Sequence, residues 1–449
     1  MHSEYNPRYR TKTRNTFRMF ENVLAEQNPH WNGILYEQGI ERKCFKQVLR
    51  YLAVPQIISI TGVRRGGKST LLKQTINYLI QEEGVSPSNI LFANLEHPYF
   101  SQYADQVKYL EILFEDFLKI ANPNGKIYCF LDEVQFFDKW PVFVKSHYEQ
   151  KGIKFIITGS NSFLMSKDLL TLLSGRTLPI EVYPLSFGEM LAATAKTKIE
   201  TPLALAQHRH EVRRLLDPFL RYGGFPEIVV LKQENLADDI LNAYAKTILY
   251  QDVASRLKIK KPVDLEKLFY YLSSHIGALF SYASLAKLFD ISDKTVKDYI
   301  RALIDANLLF EMNKFSYSLK KQIRADKKIY AIDTGMVNAI AFKFSENRGK
   351  LFENVLYLEF RRTGKELYYY KTNSDYEIDF VVKDKEKIEI IQVCIELNEK
   401  AEMREVRALV HAAKELKLLQ GTLVTAEVEK EWLVDGITIK AIPLYKFIF

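Results

Sequence analysis

Short apolar runs rich in β-branched residues alternate with longer stretches of helical period in the first part of the chain. Gln56–Thr61, Ile90–Asn94, Lys126–Leu131 and Lys154–Thr158 are of strand length and apolar almost throughout, as strands buried on both faces are. Such strands separated by helices predict an α/β domain with a parallel sheet. From about Pro202 to Lys267 the period is helical, interrupted at Arg221-Tyr222-Gly223-Gly224-Phe225-Pro226, where Gly-Gly and Pro enforce a break. This stretch predicts a helical lid or connector. Leu268 to about Asp333 holds short helices followed by an alternating stretch, and Thr334–Phe449 returns to mixed helix and strand, predicting a further α/β domain. The expected organisation is a basic segment over 1–30, an α/β domain over 31–200, a helical lid over 201–267, a small helical domain over 268–333 and the last α/β domain over 334–449.

The first strand leads into the pattern's sharpest chemistry. Ile57-Ile58-Ser59-Ile60-Thr61 is followed by Gly62-Val63-Arg64-Arg65-Gly66-Gly67-Lys68-Ser69 and a helical Thr70-Leu71-Leu72-Lys73: strand, loop and helix in the order of a P-loop. Glycines let backbone N–H groups curl around a phosphate, and the helix N-terminus favours its negative charge. The lysine reaches the β- and γ-phosphates, and the serine hydroxyl ligates magnesium. The predicted nucleotide-binding set on this loop is Gly62, Arg65, Gly66, Gly67, Lys68, Ser69 and Thr70, with ATP and Mg2+ as cofactors. A second apolar run, Ile127-Tyr128-Cys129-Phe130-Leu131, ends in Asp132-Glu133. Asp132 is expected to support the metal with Ser69, and Glu133 to polarise the attacking water, which points to hydrolysis rather than passive binding. One strand later, Thr158-Gly159-Ser160-Asn161 makes Ser160 and Asn161 candidates for sensing the γ-phosphate; a turn with Gly and Asn at left-handed positions is the other reading. Arg176 could stabilise transition-state charge in cis, reach a neighbouring subunit, or make a surface salt bridge.

Composition narrows the classes. Among 449 residues, 47% are hydrophobic and 26% charged, which excludes a disordered or fibrous chain. Lys+Arg exceed Asp+Glu by 63 to 55, a net charge of +8, a bias that nucleotide phosphates or nucleic acid could use. Cys44, Cys129 and Cys394 are too few and too scattered for a disulfide framework or a four-ligand zinc site, and a reducing, cytoplasmic compartment is expected. No stretch approaches the roughly 20 apolar residues that cross a bilayer, so no membrane insertion is expected. Arg8, Arg10, Lys12, Arg14 and Arg18 lie in a polar opening segment, read as a solvated tail.

Tyr282–Asp290 and Ile291–Ile300 read as helix, short turn, helix. Lys294, Lys297 and Arg301 would project from the second helix, and Lys320, Lys321, Arg324, Lys327 and Lys328 crowd the following segment, where a winged helix has its hairpin. Duplex DNA is therefore a candidate partner, although Asp293 and Asp298 would face phosphates unfavourably. A protein partner is the other candidate.

Taken in order, Gly62–Thr70, Leu131-Asp132-Glu133-Val134-Gln135, Thr158–Ser162, Ser174-Gly175-Arg176, Pro184-Leu185-Ser186-Phe187, Gly223-Gly224-Phe225-Pro226-Glu227, Lys328–Gly335 and Glu377-Ile378-Asp379-Phe380 resemble the prokaryotic AAA-superfamily ATPases allied to the signal-transduction NTPases, which carry a C-terminal domain of unknown function. The resemblance implies that Pro226 belongs to a Gly-x-Pro element packing on the adenine, and that the helix-turn-helix is a winged helix. It also implies a C-terminal domain of restriction-endonuclease-like fold, whose catalysis needs an acid on a first helix, an Asp on a strand and Glu-x-Lys on the next. Glu353 and Asp379 fit the first two. Gln392 stands at the metal-binding Glu and Cys394 at the lysine. An amide binds a hard cation more weakly than a carboxylate, and a cysteine lacks lysine's charge, so this domain is expected to be inactive. Asp375, Glu377 and Asp379 share a face at strand spacing. The implied fold class is α/β: a P-loop NTPase domain with parallel sheet, helical lid, winged-helix domain and C-terminal restriction-endonuclease-like α/β domain. The implied function is an ATP-hydrolysing switch, with a DNA-binding regulator and an ATP-gated metal-dependent nuclease as alternatives.

Overall fold

The computed structural model describes residues 19–159, 173, 175–197, 199, 201–231, 233–255, 259, 261–341 and 348–449. The chain divides into two compact units, Met1–Val182 and Tyr183–Phe449.

The first unit is a parallel sheet with helices on both faces. Its strands are β1 (Ile57–Gly62), β2 (Ile90–Asn94), β3 (Ile127–Asp132), β4 (Ile153–Thr158) and β5 (Thr177–Val182), in the order β2-β3-β4-β1-β5. The four apolar runs fall within a residue of β1 to β4, and side-chain alternation sorts them onto two cores. Ile58, Ile60, Phe92, Phe130 and Ile156 face the helix Lys68–Gln81, which offers Leu71, Leu72, Ile76 and Leu79. Ile57, Leu91, Cys129, Leu131, Phe155 and Ile157 face the other side, toward Phe114 and Phe117 of the helix Lys108–Ala121 and Phe143 of the helix Trp140–Glu149. β5 escaped the pattern because its outer strand carries Pro179 and a partly exposed face, as an edge strand tolerates. After β1 the chain crosses to the far edge at β2 while β5 lies on the other side, so the C-terminal end of β1 is the switch point where such sheets bind ligands.

The second unit carries a nine-stranded sheet. Its strands are β6 (Leu279–Phe280), β7 (Leu309–Lys314), β8 (Lys327–Ala331), β9 (Glu366–Lys371), β10 (Glu377–Asp384), β11 (Lys387–Val393), β12 (Gln420–Thr425), β13 (Lys430–Val434) and β14 (Ile437–Pro443), ordered β13-β14-β12-β11-β10-β9-β7-β8-β6. The helical stretch read as a lid lies in this unit, as the helices Pro202–Gln207, Arg209–Tyr222, Pro226–Val229 and Ala237–Thr247. The expected helix-turn-helix is the pair Tyr282–Phe289 and Asp293–Asp305, each capped by a serine, Ser281 and Ser292. Antiparallel β7 and β8 follow, joined through a short helix, Leu319–Arg324. β7 then pairs in parallel with β9 at Asn313↔Tyr368 and Lys314↔Tyr369, so one sheet runs through the 333/334 position proposed as a boundary. Beyond it, β9, β10 and β11 form an antiparallel meander, and β12 and β14 add in parallel, with the helix Glu399–Leu416 packing Leu409, Ala412 and Ala413 on Val381, Ile390 and Leu423.

Candidate functional site

The P-loop folds at the C-terminal end of β1 under tight steric control. Gly62 (φ 145°) lies so close to β5 that a Cβ there would stand 2.1 Å from the Val182 carbonyl oxygen, and Gly67 (φ 100°) opens the helix Lys68–Gln81 in the left-handed region. Arg65 also has φ 66°, so its backbone shapes the loop. Arg42, buried and unflagged by any motif, donates to the Gly66 carbonyl at 2.8 Å. Arg64 pairs with Glu96 just beyond β2.

Lys68, Ser69, Asp132 and Glu133 converge. Lys68 Nζ, almost fully buried, lies 3.2 Å from Glu133 Oε1 and donates to the Gly62 carbonyl at 3.3 Å. The Ser69 hydroxyl hydrogen-bonds Asp132. Thr158, at the end of β4, was missed by sequence reasoning, which looked one step further to Ser160 and Asn161; those two lie outside the described residues. The Thr158 hydroxyl donates to Asp132 Oδ1 and accepts the Glu133 N–H at 2.9 Å. Glu133 sits at φ 55°, a conformation rare for a non-glycine and often found at functional sites; Gln135 donates to its carboxylate. Burial, and next the Glu133 charge, push the Asp132 carboxyl up, against the Ser69 and Thr158 hydrogen bonds. Burial acts the same way on Glu133, but the Lys68 ammonium and the Gln135 amide outweigh it and hold Glu133 below the usual carboxylate range. The result is an ionised acid beside a lysine, on a loop whose backbone can wrap a phosphate.

One expectation changes. Arg176 does not serve this loop in cis: it precedes β5, its carbonyl accepts from Ile57 at the start of β1, and its guanidinium pairs with Glu149 at 3.2 Å. That end of the sheet is roughly 17 Å from Gly62 at about 3.3 Å per residue. Pro226 opens a short helix in the second unit, where its neighbours Gly223 and Gly224 press on Asp333 and Leu185.

The residues read as nuclease-like also meet an unexpected partner. Lys328, expected on the hairpin surface, is fully buried, with Nζ 2.8 Å from Glu377 Oε1 and 3.0 Å from both Glu353 Oε1 and Asp379 Oδ1. Gln392 turns its oxygen to the Asp379 N–H at 2.9 Å, and the Cys394 thiol donates to the Glu396 carbonyl. Asp375 is not in this cluster; it occupies the turn before β10 and pairs with Lys371. Among the described residues no group of three or more His, Cys, Asp or Glu is arranged to hold a metal ion, and no helix is long and apolar enough to cross a membrane.

Comparison with known proteins matches an AAA domain over residues 54–191 and two domains of unknown function, DUF8612 over 213–347 and DUF4143 over 348–447. The chain is 35% identical over 412 residues to the uncharacterized protein MJ1544 of Methanocaldococcus jannaschii, covering 89% of this chain and 87% of that protein. It is 29% identical to an uncharacterized protein of Haemophilus influenzae, covering 88% and 95%. Among solved structures, the Aeropyrum pernix ORC1 protein in complex with DNA is similar at 14% identity and a TM-score of 0.28, covering 66% of this chain and 90% of that one, a likeness too distant to speak to function.

Proposed function

The chain belongs to the AAA-family P-loop ATPases that carry C-terminal domains of unknown function, and from that premise we propose that it hydrolyses ATP with magnesium and works in the cytoplasm as a nucleotide-driven switch. The observation that carries this reading is the meeting of Lys68, Ser69, Asp132 and Glu133 at the mouth of β1. The residues fit Mg-ATP: Gly62 and Gly66 let the loop close against the Val182 and Val63 carbonyls, where a Cβ would clash, and the buried Asp132 carboxylate already holds the Ser69 hydroxyl. Ser69 and Asp132 would hold the magnesium, Lys68 the β- and γ-phosphates, and the loop N–H groups from Arg65 to Thr70 the remaining oxygens. Bound magnesium offsets charge on the transferring phosphoryl group. Glu133 accepts a hydrogen bond from the attacking water and aligns it. Pro226 is retained as the adenine-packing residue, and Ser160 and Asn161 as γ-phosphate sensors.

Thr158 sets where both acids point. Thr158→Val keeps the shape but leaves the Glu133 N–H and one Asp132 oxygen without their partner. Expected is a fall in kcat of about tenfold or more with a stability loss of only about 1–2 kcal/mol, read by steady-state hydrolysis beside thermal unfolding. A kcat unchanged in a folded variant would remove Thr158 from the site.

A second reading, a DNA-linked switch or a DNA-binding regulator with ATP as conformational ligand, is favoured by the exposed Lys294, Lys297, Arg301, Lys320, Lys321 and Arg324 around a helix-turn-helix and two antiparallel strands that we read as a winged helix. Against it, Lys297 already pairs with Asp293 and Lys328 is buried. Steady-state ATP hydrolysis with and without duplex DNA, at two salt concentrations and with magnesium chelated, separates the readings. Turnover lost on chelation is expected throughout. DNA stimulation that disappears with salt supports the DNA link; indifference to DNA shifts the weight to a protein partner; absence of turnover in all arms refutes the ATPase. The gated nuclease has least support, because the Lys328 ammonium stands among its acids.

A further inference from the structure

The carboxylate trio in the second unit is built for a cation. Glu353 comes from the helix Arg348–Arg362, and Glu377 and Asp379 from β10, where pairing with β9 slips between Ile378 and Val381. Such irregularities re-aim side chains next to sites. Three oxygens, one from each acid, lie 2.8–3.0 Å from a single point, the all-oxygen donor class that hard cations take. That point is Lys328 Nζ. An ammonium has three N–H donors, and here each meets one carboxylate. The acids are held by other donors as well: Glu353 Oε1 also accepts from the Tyr330 hydroxyl at 2.7 Å, and of the outer oxygens Glu353 Oε2 accepts from Lys350 at 2.7 Å and Asp379 Oδ2 from the Val393 N–H at 3.1 Å.

We propose that Lys328 is the resident cation of this site, its ammonium taking the centre of the three carboxylates so that they are not arranged to hold a metal ion while it is there, and that it locks β8 to the helix and strand that carry the acids. The inference is independent of the ATPase reading. Burial works against the lysine's charge, but Asp379, Glu353 and Glu377 together outweigh it and hold the ammonium well above the ordinary lysine range, so the charge persists across neutral pH. Gln392 and Cys394, on and just beyond β11, add no carboxylate to the site. Its cation is covalently part of the chain.

The test uses the full-length protein, thermal unfolding and manganese, a hard ion that accepts carboxylates. Wild type should melt at one temperature in chelator and in about 1 mM manganese. Lys328→Ala in chelator should melt about 10 °C lower, since breaking a buried ion pair strands its partners, and manganese should recover at least half of that loss. Lys328→Ala/Asp379→Asn, with the same P-loop, should show no manganese gain. Equal manganese shifts in wild type and Lys328→Ala, a Lys328→Ala melt like wild type, or a loss that manganese does not recover would each overturn the proposal. Should Lys328→Ala be insoluble, it is refolded from urea with and without manganese beside Lys328→Ala/Glu353→Gln/Asp379→Asn. Recovery of the single variant only with manganese supports the cation role. A soluble triple variant beside a single variant that manganese leaves insoluble overturns it, and so does failure of both variants in both buffers, which would make the lysine stem the essential part.

Discussion

Glu133→Gln is expected to lower ATP turnover by at least about 100-fold while leaving ATP affinity within a few-fold of wild type. Glutamine keeps the size of the side chain and an oxygen for Gln135, so the loop should hold its shape. It loses the charge that meets Lys68 at 3.2 Å and the ability to pull on a water proton. Glu133 is held below the ordinary carboxylate range by Lys68 and Gln135, against burial, which makes it a weak base. That suits phosphoryl transfer, where the transition state is loose and alignment of the water counts for more than removal of its proton. The acid limb of the pH–rate profile should accordingly stay flat through neutrality. Lys68→Ala is expected to behave differently, weakening ATP binding by about tenfold or more, the worth of a lost charge-assisted bond, together with turnover. Equilibrium binding of a fluorescent ATP analogue beside single-turnover hydrolysis separates the two. Glu133→Gln turning over within about threefold of wild type would strip Glu133 of its role.

The P-loop and its acids were legible because local sequence determines them: glycines, lysine and serine at fixed spacing after a β run, and an apolar strand ending in Asp132-Glu133. The four central strands were legible for the same reason, being apolar on both faces. What stayed hidden depends on which distant elements meet. Arg176 follows a motif in order, but order along the chain does not say which end of a parallel sheet a residue occupies. Lys328 counts as one more basic residue in a basic stretch until three acids from beyond it in sequence surround it. Asp375 and Glu377 have strand spacing on paper, yet the strand starts only at Glu377. Arg42 carries no motif, since a donor to a backbone carbonyl can come from anywhere, and Thr158 opens a quoted motif that does not say its hydroxyl bridges the two acids.

The same lesson gives the second large effect. Gly335→Ala is expected to destabilise the second unit by about 3 kcal/mol or more, against what local sequence would suggest. Gly335 is in the first turn of the helix Thr334–Ile340, where alanine ordinarily gains about 1 kcal/mol over glycine. A Cβ there would stand 2.0 Å from the Tyr222 carbonyl oxygen and 2.8 Å from the Gly223 nitrogen, both backbone atoms that cannot rotate away. Around this contact the two glycine-bearing motifs close on each other. Asp333 caps the helix through the Met336 N–H at 2.9 Å and accepts the Gly224 N–H at 2.7 Å, Thr334 donates to the Phe219 carbonyl, and Leu185 donates to the Gly224 carbonyl at 2.6 Å. Burial pushes the Asp333 carboxyl up to about 6 despite those bonds, a cost the fold sustains to keep the knot. Gly364→Ala is the control: it has φ 72° and nothing within 4 Å of a Cβ, so only backbone strain of about 1 kcal/mol applies. Thermal unfolding should place Gly335→Ala about 6–12 °C below wild type and Gly364→Ala only a few degrees below. If Gly335→Ala instead melts at or above wild type, helix propensity governs this position, and the Gly223-Gly224 and Asp333–Gly335 motifs do not owe their spacing to each other.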